Sequence, residues 1–294
     1  MSGEPSAAGP AAGPALLTPP RVRRLLTAHR LSPHRSLGQN YLADPNTARK
    51  VARLGGAAPG RTVLEIGPGL GSLTLALRAA GARVVAVEID ERLRPALEEV
   101  IEGDPGVTIE IADALRADLA VLAPEATSMV ANLPYNIAVP LVMHALHVHP
   151  GLTQLTVMVQ REVGERLASE PGTKAYGGVT VKLAALAEAR VVSTVSRRVF
   201  VPEPNVDSVL VSIRRREHPA MAGIEHADLA RVVEAAFGQR RKTLRNALRG
   251  LGLGAAEAEA ACAAAGVDPG TRAERLGVAE YAALTREVLA SSPD

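Results

Sequence analysis

The amino-acid sequence predicts an α/β protein, in which an open, doubly wound and mostly parallel sheet of seven strands precedes a small all-α domain. Two observations support this prediction. Between residues 62 and 168, short β-rich runs alternate with helical patterns, which is typical of parallel βαβ units. Beyond about residue 216 only helical patterns occur, so we expect a domain boundary there.

The predicted elements follow one another in a clear order. Two helices come first, the basic amphipathic RVRRLLTAHRL and then DPNTARKVARLGG, where Asp44 is the expected N-cap and Pro45 suits the first turn. Five strands then alternate with helices, and they are TVLEIG, RVVAVEID, VTIEIAD, SMVANL and TQLTVMVQ. ARVVSTVS and VDSVLVSIRRR follow as two further strands, which suit an antiparallel pair closing the sheet edge. The later helical patterns are HADLARVVEAAFGQ, KTLRNALRGL, AAEAEAACAAAG and VAEYAALTREVLASS.

Composition excludes several classes of protein. The chain has 294 residues, of which 47% are hydrophobic, enough for a large domain at 21–216 and a smaller one at 217–294. No run approaches the roughly 18 to 20 apolar residues of a membrane helix. Residues 1–20 are rich in Pro, Gly and Ala, and we interpret them as a disordered tail rather than a signal peptide. Cys262 is the only cysteine, so no disulfide or cysteine-based zinc site can form; we expect a cytoplasmic protein without a metal site.

Basic residues are concentrated late in the chain. The net charge is only +2, but residues 197–249 hold eleven Arg or Lys against six Asp or Glu. Such a concentration suits contact with a polyanion. A solvated helix face is the alternative interpretation of the same charges.

A glycine-rich loop, GPGLG, follows the first predicted sheet strand. Gly67 and Gly69 let the backbone turn off the strand end and approach a ligand closely, at the sheet edge where open α/β folds bind ligands. The next strand ends in Glu88, where an acidic side chain can accept hydrogen bonds from both ribose hydroxyls. Nicotinamide dinucleotide sites and S-adenosylmethionine sites share these features.

The third strand end separates these two cofactors. VTIEIAD supplies Asp113, where a carboxylate can accept the amino hydrogens of an adenine. In addition, the third glycine comes one residue too early for the dinucleotide motif. The loop, Glu88 and Asp113 together favour S-adenosylmethionine, which carries an adenosine but no pyrophosphate.

The segment ANLPYN, at the end of the fourth strand, suits methyl transfer to an adenine amine. The side-chain oxygen of Asn132 and the backbone carbonyl of Leu133 can accept the two hydrogens of that amine, while Pro134 fixes the local dihedral angle. Tyr135 offers a ring on which the base can stack, and Phe200 could close its other face. Seen alone, the same segment could be an ordinary turn.

In combination these segments resemble the bacterial small-subunit ribosomal RNA adenine dimethyltransferases. The resemblance extends over nearly the whole chain after the tail, although Tyr41 stands where that family usually has Phe. The segments that carry it are SLGQNYL, VLEIGPGLG, VVAVEID, NLPYN, KAYGG, FVPEPNVDS and FGQRRKTLRNAL.

The resemblance implies a Rossmann-like S-adenosylmethionine-dependent methyltransferase domain. It implies transfer of methyl groups to the exocyclic amines of two adjacent adenosines near the 3′ end of 16S ribosomal RNA, within the immature small subunit, by a monomer. It assigns catalysis to Asn132 and Tyr135. The residues that would line the cofactor site are Asn40, Leu42, Gly67, Glu88, Asp113 and Asn132.

Alternatives remain at this point. The erythromycin-resistance methylases of large-subunit RNA share several of these segments but lack QRRKTLRN, and a mainly non-catalytic assembly factor for the small subunit would use the same RNA-binding surface. We expect the basic residues of this region to contact RNA phosphates, together with the helical domain and the basic N-terminal helix. These residues are Arg240, Arg241, Lys242, Arg245 and Arg249.

Overall fold

The computed structural model describes residues 15–34, 38–221, 223–239 and 241–291. Its strands are β1 (Tyr41–Leu42), β2 (Thr62–Ile66), β3 (Arg83–Glu88), β4 (Val107–Ile111), β5 (Ala126–Asn132), β6 (Gln154–Gln160), β7 (Ala187–Val195), β8 (Phe200–Val201) and β9 (Ser208–Arg215). Its α-helices are α1 (Pro19–Ala28), α2 (Pro45–Leu54), α3 (Ser72–Ala79), α4 (Arg94–Ile101), α5 (Leu119–Leu122), α6 (Tyr135–Val148), α7 (Arg161–Leu167), α8 (Gly178–Leu186), α9 (His226–Gly238), α10 (Leu244–Leu248), α11 (Ala255–Ala264) and α12 (Val278–Ser291).

Seven strands form one sheet in the order β4-β3-β2-β5-β6-β9-β7. The first five strands of this order are parallel, and β9 is antiparallel to both β6 and β7. The prediction of a mostly parallel, seven-stranded sheet with an antiparallel pair is therefore confirmed. The strand order reverses between β2 and β5, so the loops after these two strands diverge and leave a crevice at the carboxyl edge.

Helices cover the sheet on both faces. Side chains alternate along β2, so that Leu64 and Ile66 belong to one buried cluster while Val63 belongs to another. All five residues of this strand are buried, as expected of a central parallel strand between two helical layers. None of the helices in the described part of the chain has the length and apolar character that crossing a bilayer requires.

The N-terminal segment begins packing earlier than predicted. Residues 1–14 of the expected tail lie outside the described residues. Leu17 is buried with Val22 and Leu25 in a small apolar cluster, and α1 begins at Pro19. A tail boundary at residue 20 is therefore too late, because the apolar Leu16 and Leu17 already belong to the domain's packing.

The helices after the sheet pack onto the sheet domain through α8, which the sequence patterns did not predict. A single cluster of buried residues runs from the sheet through Val181 of α8 to Val233 of α9. The Tyr176 hydroxyl, just before α8, donates a hydrogen bond to the Leu276 carbonyl at 2.7 Å. The helical region is thus joined to the sheet domain by a shared apolar core.

Candidate active site

A cavity of about 510 Å³ opens at the carboxyl edge of the sheet, at the crevice between β2 and β5. Almost all of the predicted site residues line it. These are Asn40, Leu42, Gly67, Gly69, Glu88, Asp113, Asn132, Leu133 and Phe200. Tyr135 begins α6 directly beside the cavity, but its side chain lies outside the described part of the structure, so the prediction of a stacking ring stays a prediction.

The glycine loop approaches the cavity with its backbone. Gly67 and Gly69 both have positive φ angles, +70° and +58°, which side chains other than glycine rarely tolerate. A Cβ at position 69 would lie 3.1 Å from the Cδ1 atom of the Tyr41 ring. The glycines therefore permit both the turn and a close approach between the loop and Tyr41, which follows the GQN segment (residues 38–40).

Glu88 is anchored at the end of β3 by backbone amides. Its Oε2 accepts a hydrogen bond from the Gly69 N–H at 3.1 Å, and its Oε1 accepts from the N–H groups of Ile89 and Asp90, both at 2.9 Å. The side chain is only 4% exposed, and this burial raises the pKa of the Glu88 carboxyl. The glycine loop and the acidic side chain are thus one hydrogen-bonded unit.

Asp113 is more accessible and is also locally fixed. Its Oδ1 accepts a hydrogen bond from the Leu115 N–H at 3.0 Å, and its Oδ2 lies 3.6 Å from the Arg116 guanidinium. Its side chain is 37% exposed, so a carboxylate oxygen can meet a ligand at the cavity wall.

The GQN segment closes the cavity from the N-terminal side. The Gln39 Nε2 donates to Asp90 at 2.9 Å, and the Tyr41 hydroxyl donates to the Gln39 Oε1 at 3.0 Å. Gly38 packs so tightly that a Cβ there would lie 2.8 Å from the Cβ of Pro134. The resemblance supplied Asn40 and Leu42 as site residues, but the role of Gln39 as the connection between this segment and the end of β3 was missed.

Asn132 is oriented by the GQN segment. Its Nδ2 donates a hydrogen bond to the Asn40 backbone carbonyl at 3.1 Å, so its Oδ1 is the group left to accept a bond from a ligand. The Leu133 N–H is bonded to the Met158 carbonyl at 2.9 Å, which fixes the peptide plane that follows. Pro134 then has φ −59° and ψ 148°, and α6 begins immediately afterwards.

Phe200 also borders the cavity. The short strands β1 and β8 pair so that Leu42 lies opposite Phe200, which brings the FVPEP segment alongside the GQN segment. Phe200 is 4% exposed and lines the cavity with Pro204 and Val206. This proximity could not be predicted from periodicity, because a strand of two residues carries no repeating pattern.

Comparison with known proteins decides the family. Residues 30–289 match the family model described as ribosomal RNA adenine dimethylase.

The chain belongs to that family.

Relatives within this dimethylase family support the assignment over nearly the whole chain. The ribosomal RNA small subunit methyltransferase A of Thermobifida fusca is 48% identical over 274 residues, which cover 92% of this chain and 95% of the relative. The protein of the same name from Moorella thermoacetica is 42% identical, and the match covers 92% of this chain and 97% of the relative.

Two solved structures resemble this dimethylase chain. The 23S rRNA methyltransferase ErmE is 30% identical, with a TM-score of 0.66, and covers 85% of this chain and 99% of its own. A dimethyladenosine transferase from Plasmodium falciparum is 24% identical, with a TM-score of 0.70. It covers 85% of this chain and 98% of its own, and it shows the same fold. The prediction of a Rossmann-like methyltransferase domain is therefore confirmed.

S-adenosylmethionine is the cofactor of this dimethylase family, and the cavity suits it. The positive-φ glycines leave room for a ligand against the loop backbone, and the carboxylates of Glu88 and Asp113 border the same space. When bound, this cofactor supplies an electrophilic methyl group on a sulfonium. The chain's own residues supply the position of the acceptor amine.

Proposed function

We propose that this protein uses S-adenosylmethionine to dimethylate the N6 amines of two adjacent adenosines near the 3′ end of 16S ribosomal RNA, in the small ribosomal subunit. The observation that carries the proposal is the hydrogen bond from the Asn132 Nδ2 to the Asn40 carbonyl. It ties the acceptor-binding asparagine to the segment that also borders the cofactor end of the cavity.

The geometry of Asn132 suits an amine that is a poor nucleophile. The lone pair of the adenine amine is delocalised into the ring, and it becomes available when the two N–H groups are held by acceptors. Asn132, Leu133 and Phe200 all line the cavity. The Oδ1 of Asn132 and the carbonyl of Leu133 would accept these hydrogens, and Phe200 would offer an apolar wall for the base. No strong base is needed, since the amine loses its proton readily once alkylated, and positioning supplies most of the rate.

Glu88 and Asp113 would hold the cofactor's adenosine. The Glu88 carboxylate, fixed by three backbone N–H groups, keeps lone pairs for the ribose hydroxyls, and the exposed oxygen of Asp113 would accept from the adenine amine. Glu88 and Asp113 lie at the ends of β3 and β4, on one side of β2, whereas Asn132 ends β5 on the other side of β2. Donor and acceptor would therefore bind on opposite sides of β2.

The relatives favour the small subunit as substrate. The proteins that are 42% to 48% identical are named for small-subunit RNA, whereas the large-subunit enzyme ErmE is 30% identical. We further propose that the protein acts as a monomer on immature particles in the cytoplasm, and that mutation of Asn132 separates methylation from assembly.

The test is methyl transfer from labelled S-adenosylmethionine to small subunits that lack the modification. Wild type should add about four methyl groups per particle, two on each of two neighbouring adenosines, and Asn132→Ala should add essentially none. Asn46→Ala is a matched control, since this amide contacts only the exposed Arg49 side chain in the described structure, and it should behave as wild type. Label in large-subunit RNA would instead favour a resistance methylase, and tight particle binding without label would favour an assembly factor.

We propose that the basic residues after α9 contact RNA. Arg241, Lys242 and Arg249 are exposed, whereas the Arg245 guanidinium is paired with Glu259 at 2.5 Å, and Arg240 lies outside the described residues. Arg241→Ala should make particle binding less dependent on salt. The slope of the logarithm of the binding constant against the logarithm of salt concentration should become shallower by about one unit. Arg83→Ala, which removes an exposed charge paired with Glu125, is the control, and equal slopes for both variants would refute an RNA contact at this cluster.

A further inference from the structure

Gln160 lies at the carboxyl end of β6, next to β5, the strand that ends at Asn132. In the parallel pair β5–β6, Asn132 is the register partner of Met158, so Gln160 extends two residues beyond it. Residues in register, and residues two apart on one strand, project from the same face of a sheet. Asn132 and Gln160 therefore project from one face at one edge, and both line the cavity.

The spacing between these two residues suits a base. Neighbouring strands lie about 4.8 Å apart and each residue advances the strand by about 3.3 Å, so the Cα atoms of Asn132 and Gln160 are about 8 Å apart. Two amide side chains that converge across this gap can meet adjacent atoms along one edge of a purine. Ser208, the register partner of Gln160 on β9, also lines the cavity.

Among the residues that the structure describes, none gives the Gln160 side chain an evident structural task. It occupies the N-cap position of α7, yet its side chain makes no capping hydrogen bond, and this position ordinarily favours Ser, Thr, Asp or Asn. Half-buried at a cavity wall, an amide needs partners for its donors and its acceptor. The cavity-lining residues of β5, β8 and β9, which are Asn132, Phe200 and Ser208, are all uncharged, which suits a neutral base rather than a phosphate.

We propose that the Gln160 side-chain amide donates a hydrogen bond to N1 of the target adenine, while Asn132 and Leu133 accept the hydrogens of N6. This inference rests on the proposed function and adds a specificity determinant to it. Adenine presents an acceptor at N1 beside a donor at N6, which matches a donor from Gln160 beside an acceptor from Asn132. Guanine presents the reverse, a donor at N1 and an acceptor at O6. Its N1 donor would therefore face the Gln160 donor, and its O6 acceptor would face the Asn132 acceptor.

The inference is tested by removing the N1 acceptor from the base and the side-chain amide from the protein. Small-subunit particles are assembled with adenosine, 1-deazaadenosine or 7-deazaadenosine at the two target positions, and kcat/KM for methyl transfer is measured for wild type and Gln160→Ala. Wild type should lose about tenfold on the 1-deaza substrate and little on the 7-deaza substrate. Gln160→Ala should show about the same tenfold loss on adenosine and no further loss on the 1-deaza substrate, because the partner atom is already missing.

Controls separate this contact from a structural effect. Gln154→Ala changes the same residue type at the other end of β6, where the Nε2 donates to the Leu54 carbonyl, and it should retain kcat/KM. Gln160→Glu should be slower than Gln160→Ala, since a carboxylate repels the N1 lone pair, and the affinity of both Gln160 variants for S-adenosylmethionine should equal that of wild type.

Three results would overturn the proposal. These are an unchanged kcat/KM for Gln160→Ala, an additive loss when that variant meets the 1-deaza substrate, or a weakened affinity for S-adenosylmethionine. Failure of wild type to methylate natural adenosine in the particle would instead overturn the proposed function itself.

Discussion

Replacing Glu65 with glutamine should stabilise the protein, by an amount that grows with pH. Glu65 lies in β2 and is 1% exposed. Its Oε2 accepts a hydrogen bond from the Thr74 hydroxyl at 2.7 Å, whereas its Oε1 is buried without a hydrogen-bond partner in the described structure. Burial raises the pKa of this carboxyl from its ordinary 4.5 to about 8.

The sign and size of the effect follow from proton linkage. Because the folded pKa of Glu65 lies above the unfolded value, the unfolded state loses its proton first as pH rises above 4.5, and stability falls until the folded carboxyl ionises near pH 8. Each pH unit in this window costs about 1.4 kcal/mol. At pH 7.5 the carboxyl therefore destabilises the protein by about 4 kcal/mol, and an amide removes this cost while its Oε1 still accepts from Thr74.

The assay is urea unfolding followed by circular dichroism from about pH 5.5 to about pH 8.5. The difference in unfolding free energy between Glu65→Gln and wild type should rise by about 1.4 kcal/mol per pH unit up to about pH 8 and then stay constant. Glu98→Gln is the matched control, because it makes the same substitution at a carboxylate that is 55% exposed. A difference for Glu65→Gln that stays constant across the range would refute the reasoning.

Three further changes test other parts of the structure. Gly69→Ala should weaken S-adenosylmethionine binding at least about tenfold in calorimetry. The alanine would have to adopt a φ of +58°, and its Cβ would lie 3.1 Å from the Tyr41 ring. An unchanged affinity would contradict the close approach of loop and ring. Asp44→Ala should lower the unfolding free energy by about 1 kcal/mol, since its Oδ1 accepts from the Thr47 N–H at 2.6 Å at the start of α2, and Asp44→Ser should recover most of the loss. Burial lowers the pKa of His226, so wild type should lose stability relative to His226→Gln as pH falls below about 6.5, and parallel pH profiles would exclude that linkage.

Much of the fold could be predicted because it depends on local pattern. The strands of the parallel sheet are apolar runs bounded by glycine and acidic residues. The side chains at their ends, Glu88, Asp113 and Asn132, line one cavity because parallel strands end at one edge. The cap at Asp44 was also predicted, since capping depends on residues only a few positions apart. Both successes come from rules that act within one element or one sheet edge.

The features that escaped prediction depend on contacts between distant segments or on burial from all sides. The pairing of Leu42 with Phe200 and the bond from Asn132 to the Asn40 carbonyl join parts of the chain that no local pattern connects. Helix α8 was missed because it is buried on most sides, so its sequence lacks the amphipathic period of a surface helix. Gln160 gave no signal either, since a glutamine at a strand end is common and only the cavity distinguishes it.

The strand order at one side of the sheet bears on how the protein is made. β7 leaves the ribosome before β9, yet β9 is the strand that lies between β6 and β7. Until residue 215 has emerged, β6 presents an open edge of unpaired backbone groups and β7 has no neighbour in the sheet, and such edges invite pairing with other chains. The sheet can therefore close only late in synthesis, and a nascent chain that stalls between these two strands is the form of this protein most in need of a chaperone.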